Sequence, residues 1–154
     1  MGGGCHWCTE AVFNALKGVE KVEQGYLAAF GENNVFSEGV IVHYRPSAIR
    51  LHDLIKVHLH THASTSAHSF REKYRSAIYS FDSKEIKEVE KILTEFQNNF
   101  KDKLITKVLA FRDFKASREQ IQDYYKKNQN APFCQRYIIP KLQLINEHFE
   151  ELEV

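Results

Sequence analysis

Gly2-Gly3-Gly4-Cys5-His6-Trp7-Cys8-Thr9-Glu10 is the stretch of this chain best suited to chemistry. Glycines ahead of a cysteine let the backbone turn sharply and approach a ligand closely. Thr9 to Lys17 reads as a helix: Thr9 can cap it, and Val12, Phe13 and Leu16 recur at helical spacing before Gly18 ends it. A thiol just ahead of a helix start lies near free N–H groups and the positive end of the helix dipole. Both favour thiolate, the nucleophilic form. Trp7 can add an apolar wall. Other uses of the same residues stay open. Cys5 and Cys8 could be half of a zinc site, although Cys134 is the only other cysteine and no histidine pair follows at finger spacing. Cys5 could also be an inert surface thiol.

The elements that must position these groups alternate between helix and strand. Val19 to Leu27 and Gly39 to Tyr44 read as strands, the second β-branched at Val40, Ile41 and Val42. Arg45-Pro46 breaks that strand, and Ser47 is expected to cap a helix to about His58. Thr61 to Ser69 is small and polar, hence a loop. Tyr74 to Phe81 is a strand candidate. Asp82 or Ser83 caps a helix with Ile86, Val89, Ile92, Leu93, Phe96 and Phe100 on one face. Leu104 to Phe111 alternates as a strand, Ser117 to Lys127 reads as a helix, and Pro140 opens a last helix to about Leu152. This order predicts α/β or α+β in two or three layers.

At 154 residues and 18.0 kDa the chain fits one domain with a real core. With 43% hydrophobic and 12% aromatic residues it is not a disordered chain. Its 21 Lys+Arg against 20 Asp+Glu argue against a nucleic-acid partner. No apolar run approaches the roughly 20 residues of a membrane helix, and the start lacks the charged and apolar regions of a secretory signal. Three cysteines are too few and odd in number for a disulfide scaffold, so a cytoplasmic protein with active thiols is expected.

Several ordered pieces resemble one family. Gly4-Cys5-His6-Trp7-Cys8-Thr9-Glu10 is similar to the Gly-Cys-Phe-Trp-(Gly or Cys)-x-Glu signature of the A-type peptide methionine sulfoxide reductases (MsrA). Gly25-Tyr26 follows the first helix as the family's Gly-Tyr does. Glu38, ahead of Val40-Ile41-Val42-His43-Tyr44-Arg45-Pro46, resembles the Glu before the family's strand and Tyr-Asp-Pro turn. Tyr74-Arg75-Ser76-Ala77-Ile78-Tyr79 matches its Tyr-Arg-Ser-Ala-Ile-Tyr strand. Asp123-Tyr124-Tyr125, Asn130-Ala131-Pro132-Phe133-Cys134 and Ile139-Pro140-Lys141-Leu142 resemble its C-terminal region.

The resemblance implies an α+β single domain over residues 1–154. Its sheet would be mixed or antiparallel and flanked by helices, ferredoxin-like in the MsrA manner. It implies reduction of methionine (S)-sulfoxide, free or in peptides, as in repair of oxidative damage. Cys5 would attack the sulfoxide sulfur and become a sulfenic acid. Glu38 would give the proton that a sulfoxide oxygen needs before it can leave. Tyr26 and Tyr74 would hold that oxygen. His6, Trp7 and Ser69 would shape the substrate pocket. Cys8 and Cys134 are both candidates for the resolving thiol, with Cys8 preferred for its place in the same helix start. No cofactor would be bound. The reductant would be an external dithiol, thioredoxin or similar, and the protein a monomer.

The chain departs from the family pattern at four places. His6 replaces Phe, putting a polar, titratable ring where a hydrophobic wall is expected. The stretch from Leu27 to Ser37 is shorter than the family's Gly-rich loop and lacks its Gly-His-Ala before the Glu. Ser69 stands in place of an Asp. The family's core strand before the glycines has no counterpart, which would expose a sheet edge. These departures favour a second expectation, a degenerate relative that binds a small ligand or a partner without turnover. A third is a metal-binding or thiol-redox module built from Cys5, Cys8 and the histidines His58, His60, His62 and His68. The family has a His at the position of His58, which implies a structural role there.

Overall fold

Chain segments that expose one apolar face must pair it, and four helices here do so against one side of a sheet. The computed structural model describes residues 1–68 and 70–154. In chain order the elements are α1 (His6–Asn14), β1 (Val19–Ala29), β2 (Ser37–Tyr44), α2 (Leu51–Thr61), β3 (Ala77–Ser80), α3 (Ser83–Phe96), β4 (Lys107–Ala116), α4 (Tyr124–Lys127) and α5 (Ile139–His148). The sheet runs β2-β1-β4-β3, antiparallel between β2, β1 and β4 and parallel between β3 and β4. This is an α+β fold with a mixed sheet. Val12, Phe13 and Leu16 of α1, Leu54 and Ile55 of α2, Val89 and Ile92 of α3 and Ile145 of α5 meet Val40 and Ile78 of the sheet in the main core. Leu27, Ala29, Ala77 and Tyr79 form a smaller cluster with Phe111 and Phe114 packed against it.

The longest helix obeys its sequence. The Asp82 carboxylate accepts the Glu85 N–H at 2.8 Å, and Val89, Ile92 and Phe96 bury the face that the periodicity marks. Other boundaries moved. Helix α1 begins at His6, with Cys5 rather than Thr9 at the N-cap; the Thr9 hydroxyl instead donates back to the Cys5 carbonyl at 3.3 Å. Helix α2 begins at Leu51, where Arg50 and Asp53 cap each other, not at Ser47. Ser117 to Lys127 is not one helix. Asp123 adopts φ 53°, a left-handed conformation that separates a 3₁₀ turn at Glu119–Ile121 from the single turn of α4. A π-helical turn, Cys134–Ile138, precedes α5.

Tyr74 lies before β3 rather than inside it. Residues 73–75 are pulled across the start of β2 instead. The Glu38 N–H and the Ser37 hydroxyl both donate to the Lys73 carbonyl, at 3.0 and 2.8 Å, and the Ser37 hydroxyl accepts the Arg75 N–H at 2.8 Å. The Arg75 guanidinium then donates to the carbonyls of Leu27 and Val35 at 3.2 and 2.9 Å. The edge expected to stand open is bridged at its start. Met1 exchanges backbone hydrogen bonds with Val40 of β2, and Gly2 with Ala77 of β3. The curl of the sheet brings both outer strands to the same short segment.

Candidate active site

Cys5 sits at the N-cap of α1, half-buried, where the helix presents its free N–H groups. Its thiol is held below the ordinary thiol value, first by a hydrogen bond with the Cys8 thiol. The backbone N–H groups of Trp7 and Cys8 lower it further, without closing a capping hydrogen bond, while burial and the Glu38 charge work the other way. The partner moves oppositely: the Cys8 thiol is raised by its bond to Cys5 and by burial. One thiol of the pair is therefore set up as the thiolate and the other as its donor. Cys134, fully buried, packs with Cys8 and Ala11, and burial raises its thiol too.

A cleft of about 460 Å³ opens over Cys5 and Cys8. Val12, Phe133, Tyr137, Tyr74 and Lys141 contribute to its walls. Size and apolar character suit a small side chain with one polar atom. Glu38 and Tyr26 lie on the sheet against His6, the residue after Cys5, and neither is part of the cleft wall. They face each other across β1 and β2, so the short connection after β1 still places them side by side. Glu38 is 6% exposed, and its Oε1 accepts the His6 backbone N–H at 3.2 Å, one residue from the thiol. Lys73 Nζ stands 3.7 Å from Glu38 Oε2 and 5.1 Å over the Tyr74 ring, which links the carboxyl to the second tyrosine.

Two expected pocket residues lie elsewhere. His6 is 3% exposed and is not part of the cleft wall. Its Nδ1 meets the Gly25 carbonyl at 2.8 Å and its Nε2 meets Glu38 Oε1 at 3.3 Å, so a polar ring is satisfied behind the site. Trp7 is half-buried and also stands outside the cleft wall. Tyr124 stacks on it at 3.9 Å between ring centroids and 9° between planes, and Phe133 meets it edge-on at 5.1 Å. Ser69 lies outside the described residues.

Gly3 and Gly25 are held to glycine by close protein contacts, whereas Gly4, on the cleft wall, has open space beside it. A Cβ on Gly3 would meet the His62 ring at 2.5 Å, and one on Gly25 would run into the Lys115 carbonyl of β4. The His58 and His62 rings lie 4.2 Å apart and line the cleft, as His68 does, but their nitrogens are taken up by the protein. His58 Nε2 donates to the Gly2 carbonyl at 2.9 Å, His62 Nε2 bonds the Ser76 hydroxyl at 2.8 Å, and His60 stacks on Phe100. Among the described residues, no group of three or more His, Cys, Asp or Glu is arranged to hold a metal ion.

Sequence reasoning missed three supports. The Arg71 guanidinium donates to the carbonyls of Gly3, at 3.0 Å, and Tyr74, at 2.8 Å, tying the glycine run to the tyrosine. Nothing in the local sequence marks it. Lys141 carries an ammonium that donates to the Thr61 carbonyl; burial lowers its pKa, and the Cys8 and Cys5 thiols oppose that. Its place in the Ile-Pro-Lys-Leu piece was the available signal. Glu10, 2% exposed, accepts from Gln24 Nε2 at 2.9 Å and from the N–H groups of Asp123 and Tyr124 at 3.1 and 3.2 Å. It anchors the segment that covers Trp7.

The family described as peptide methionine sulfoxide reductase matches residues 1–153. The chain belongs to this family. The reductase is 29% identical to peptide methionine sulfoxide reductase MsrA 1 of Rhodopirellula baltica, over 97% of this chain and 85% of that protein. Its fold matches the methionine sulfoxide reductase A of Corynebacterium diphtheriae with TM-score 0.73 at 20% identity, over 84% of this chain and 74% of that one. It also matches Mxr1 from Saccharomyces cerevisiae in complex with Trx2, with TM-score 0.60 and 26% identity over 80% of each chain. The reductase is thus an oxidoreductase acting on methionine sulfoxide. Among the described residues, none of its helices is long and apolar enough to cross a membrane.

Proposed function

We propose that Cys5 is the nucleophile of this reductase and that methionine (S)-sulfoxide, free or within peptides, is its substrate. The Cys5 thiolate attacks the sulfoxide sulfur. Glu38 delivers a proton to the departing oxygen, and the hydroxyls of Tyr26 and Tyr74 hold that oxygen while charge develops on it. Phe133, on the cleft wall and against Trp7, offers apolar surface to the substrate methyl. Methionine leaves, and Cys5 is left as a sulfenic acid. What supports this reading above all is the thiol pair: Cys5 and Cys8 both line the cleft, and Cys8 is the first cause that holds the Cys5 thiol below its ordinary value.

Cys8 then resolves the sulfenic acid. Residues three apart on a helix lie about 5–6 Å apart at Cβ, close enough for a disulfide after a small adjustment of the first turn. A dithiol of the thioredoxin class, as in the complex of the yeast relative, restores both thiols. No bound cofactor enters this scheme. A reducing compartment, the cytoplasm, suits three free thiols. The chain is read as one domain over residues 1–154, working as a monomer.

The test is dithiothreitol-driven reduction of both sulfoxide epimers, followed by peptide mapping after one equivalent of substrate. S-selective turnover, lost by about 10³-fold or more in Cys5→Ser, is expected, together with a Cys5–Cys8 disulfide. Turnover that survives Cys5→Ser rejects the nucleophile. Cys5 joined to Cys134 rejects the resolving step.

A further inference from the structure

His6 stands where the family pattern has Phe, and one hydrogen bond and one close contact define what its ring can do. The Gly25 carbonyl, 2.8 Å from Nδ1, can only accept, so Nδ1 carries a hydrogen. A neutral ring then presents a bare lone pair at Nε2. That atom lies 3.3 Å from Glu38 Oε1 with both side chains buried. Two facing lone pairs out of contact with water are unfavourable. A proton between them, on Nε2 or on Oε1, would remove that cost. The other charged or titratable groups facing the pair are Lys73, 3.7 Å from Oε2, the Tyr26 ring, 5.2 Å from the His6 ring, the Cys5 thiol in the adjoining residue and Tyr74 beyond Lys73. An ammonium beside a carboxyl favours the ionised form, and an ionised carboxyl has no proton to give.

We propose that His6 is a positioning residue for sulfoxide reduction: bridged between the Gly25 carbonyl and Glu38, it keeps an exchangeable proton on the pair and feeds it through Glu38 to the sulfoxide oxygen. This rests on the assignment of Cys5 and Glu38 made above. The step balances. The Cys5 thiolate bonds the sulfoxide sulfur; as the oxygen takes the proton from the pair it passes to the Cys5 sulfur, and the sulfoxide S–O bond and the transient bond between the two sulfurs both break, leaving methionine and a sulfenic hydroxyl on Cys5. Methionine gains two electrons and Cys5 loses two. The pair, now imidazole and carboxylate, regains its proton from solvent.

The experiment compares the unsubstituted enzyme with His6→Asn, which keeps an Nδ1-like donor for Gly25 but has no Nε2, and with His6→Phe. Methionine release from a methionine (S)-sulfoxide peptide is followed in a single turnover, without reductant, across pH. The ratio of unsubstituted to variant rate is expected to be within about threefold near pH 5.5 and to rise to about tenfold or more near pH 8.5. A ring that merely fills space gives a ratio independent of pH, and that result overturns the proposal. Nitrogen-15 NMR of the His6 ring supplies a readout free of turnover. Nδ1 is expected to carry the hydrogen donated to the Gly25 carbonyl, and the Nε2 signal to change in Glu38→Gln; an Nδ1 without that hydrogen, or an Nε2 signal indifferent to Glu38→Gln, overturns the proposal. Failure of the site assignment looks different. No methionine release, or release that survives Cys5→Ser, with the NMR pair intact, removes the reaction path and the role of His6 with it. A pH-independent ratio alongside Cys5-dependent release removes the role of His6 alone.

Discussion

At the scale of single residues, the chemistry turns on how one thiol is made different from its neighbour. Cys5 and Cys8 share a helix start, yet one is lowered and the other raised, because a single hydrogen bond stabilises the charge on one sulfur at the other's expense. Removing the donor should undo the difference. In Cys8→Ala, the pH of half-maximal iodoacetamide reaction at Cys5 is expected to rise by about one unit. Cys8 and Cys134 are buried, so early alkylation reports Cys5. An unchanged midpoint would show that the helix start alone sets the thiol. His6 illustrates the same dependence on a partner. Its type marks a departure in the sequence, but whether the ring faces a methyl group or a carboxyl depends on Gly25 and Glu38, which are distant in the chain.

At the scale of elements, α1 serves as the platform and its far side is fixed by one carboxyl. Glu10 takes three donors, two of them backbone N–H groups at the start of α4, and so seats Tyr124 on Trp7. The left-handed Asp123 is what turns those N–H groups toward it. Glu10→Ala would leave buried donors without an acceptor, and a loss of about 3 kcal/mol in urea unfolding is expected. Glu10→Gln, which keeps a carbonyl oxygen, should lose less. Trp7 is the only tryptophan, so its emission should shift as Tyr124 leaves the stack. A loss below about 0.5 kcal/mol with unchanged emission would mean that the aromatic contacts hold the segment by themselves. The strands tell a complementary story. The connection from β1 to β2 differs from the family pattern, but cross-strand register between Tyr26 and Glu38 depends on pairing rather than on loop length.

At the scale of the whole molecule, α2 is joined to the chain start and to the sheet through His58 and His62, so both rings report on the assembled fold. Burial is the main cause that lowers each: His58 goes well below its ordinary value of 6.5, and His62 goes down to about 4. The unfolded chain then binds more protons than the folded one between about pH 6.5 and pH 4, so stability falls on acidification through that window and levels off below it. His62 is half-buried by surface area, which tempers its share to about 2 kcal/mol. Urea unfolding should show one cooperative transition, losing stability between about pH 7 and pH 4.5, and losing less in His62→Gln. An equal loss in both proteins would place the acid sensitivity elsewhere. Local information in the chain was enough for the helix of α3, for most strands and for the thiol at a helix start, because periodicity, capping and turn residues act between near neighbours. The set of candidate residues was legible as well, through ordered pieces of a family pattern. Only the folded chain decided that His6 backs Glu38, that Tyr124 covers Trp7, that Lys141 and Arg71 reach the site and that His58 and His62 bond to protein groups. Each of these is a contact between residues far apart in the chain, and such contacts depend on packing and register that no local pattern encodes.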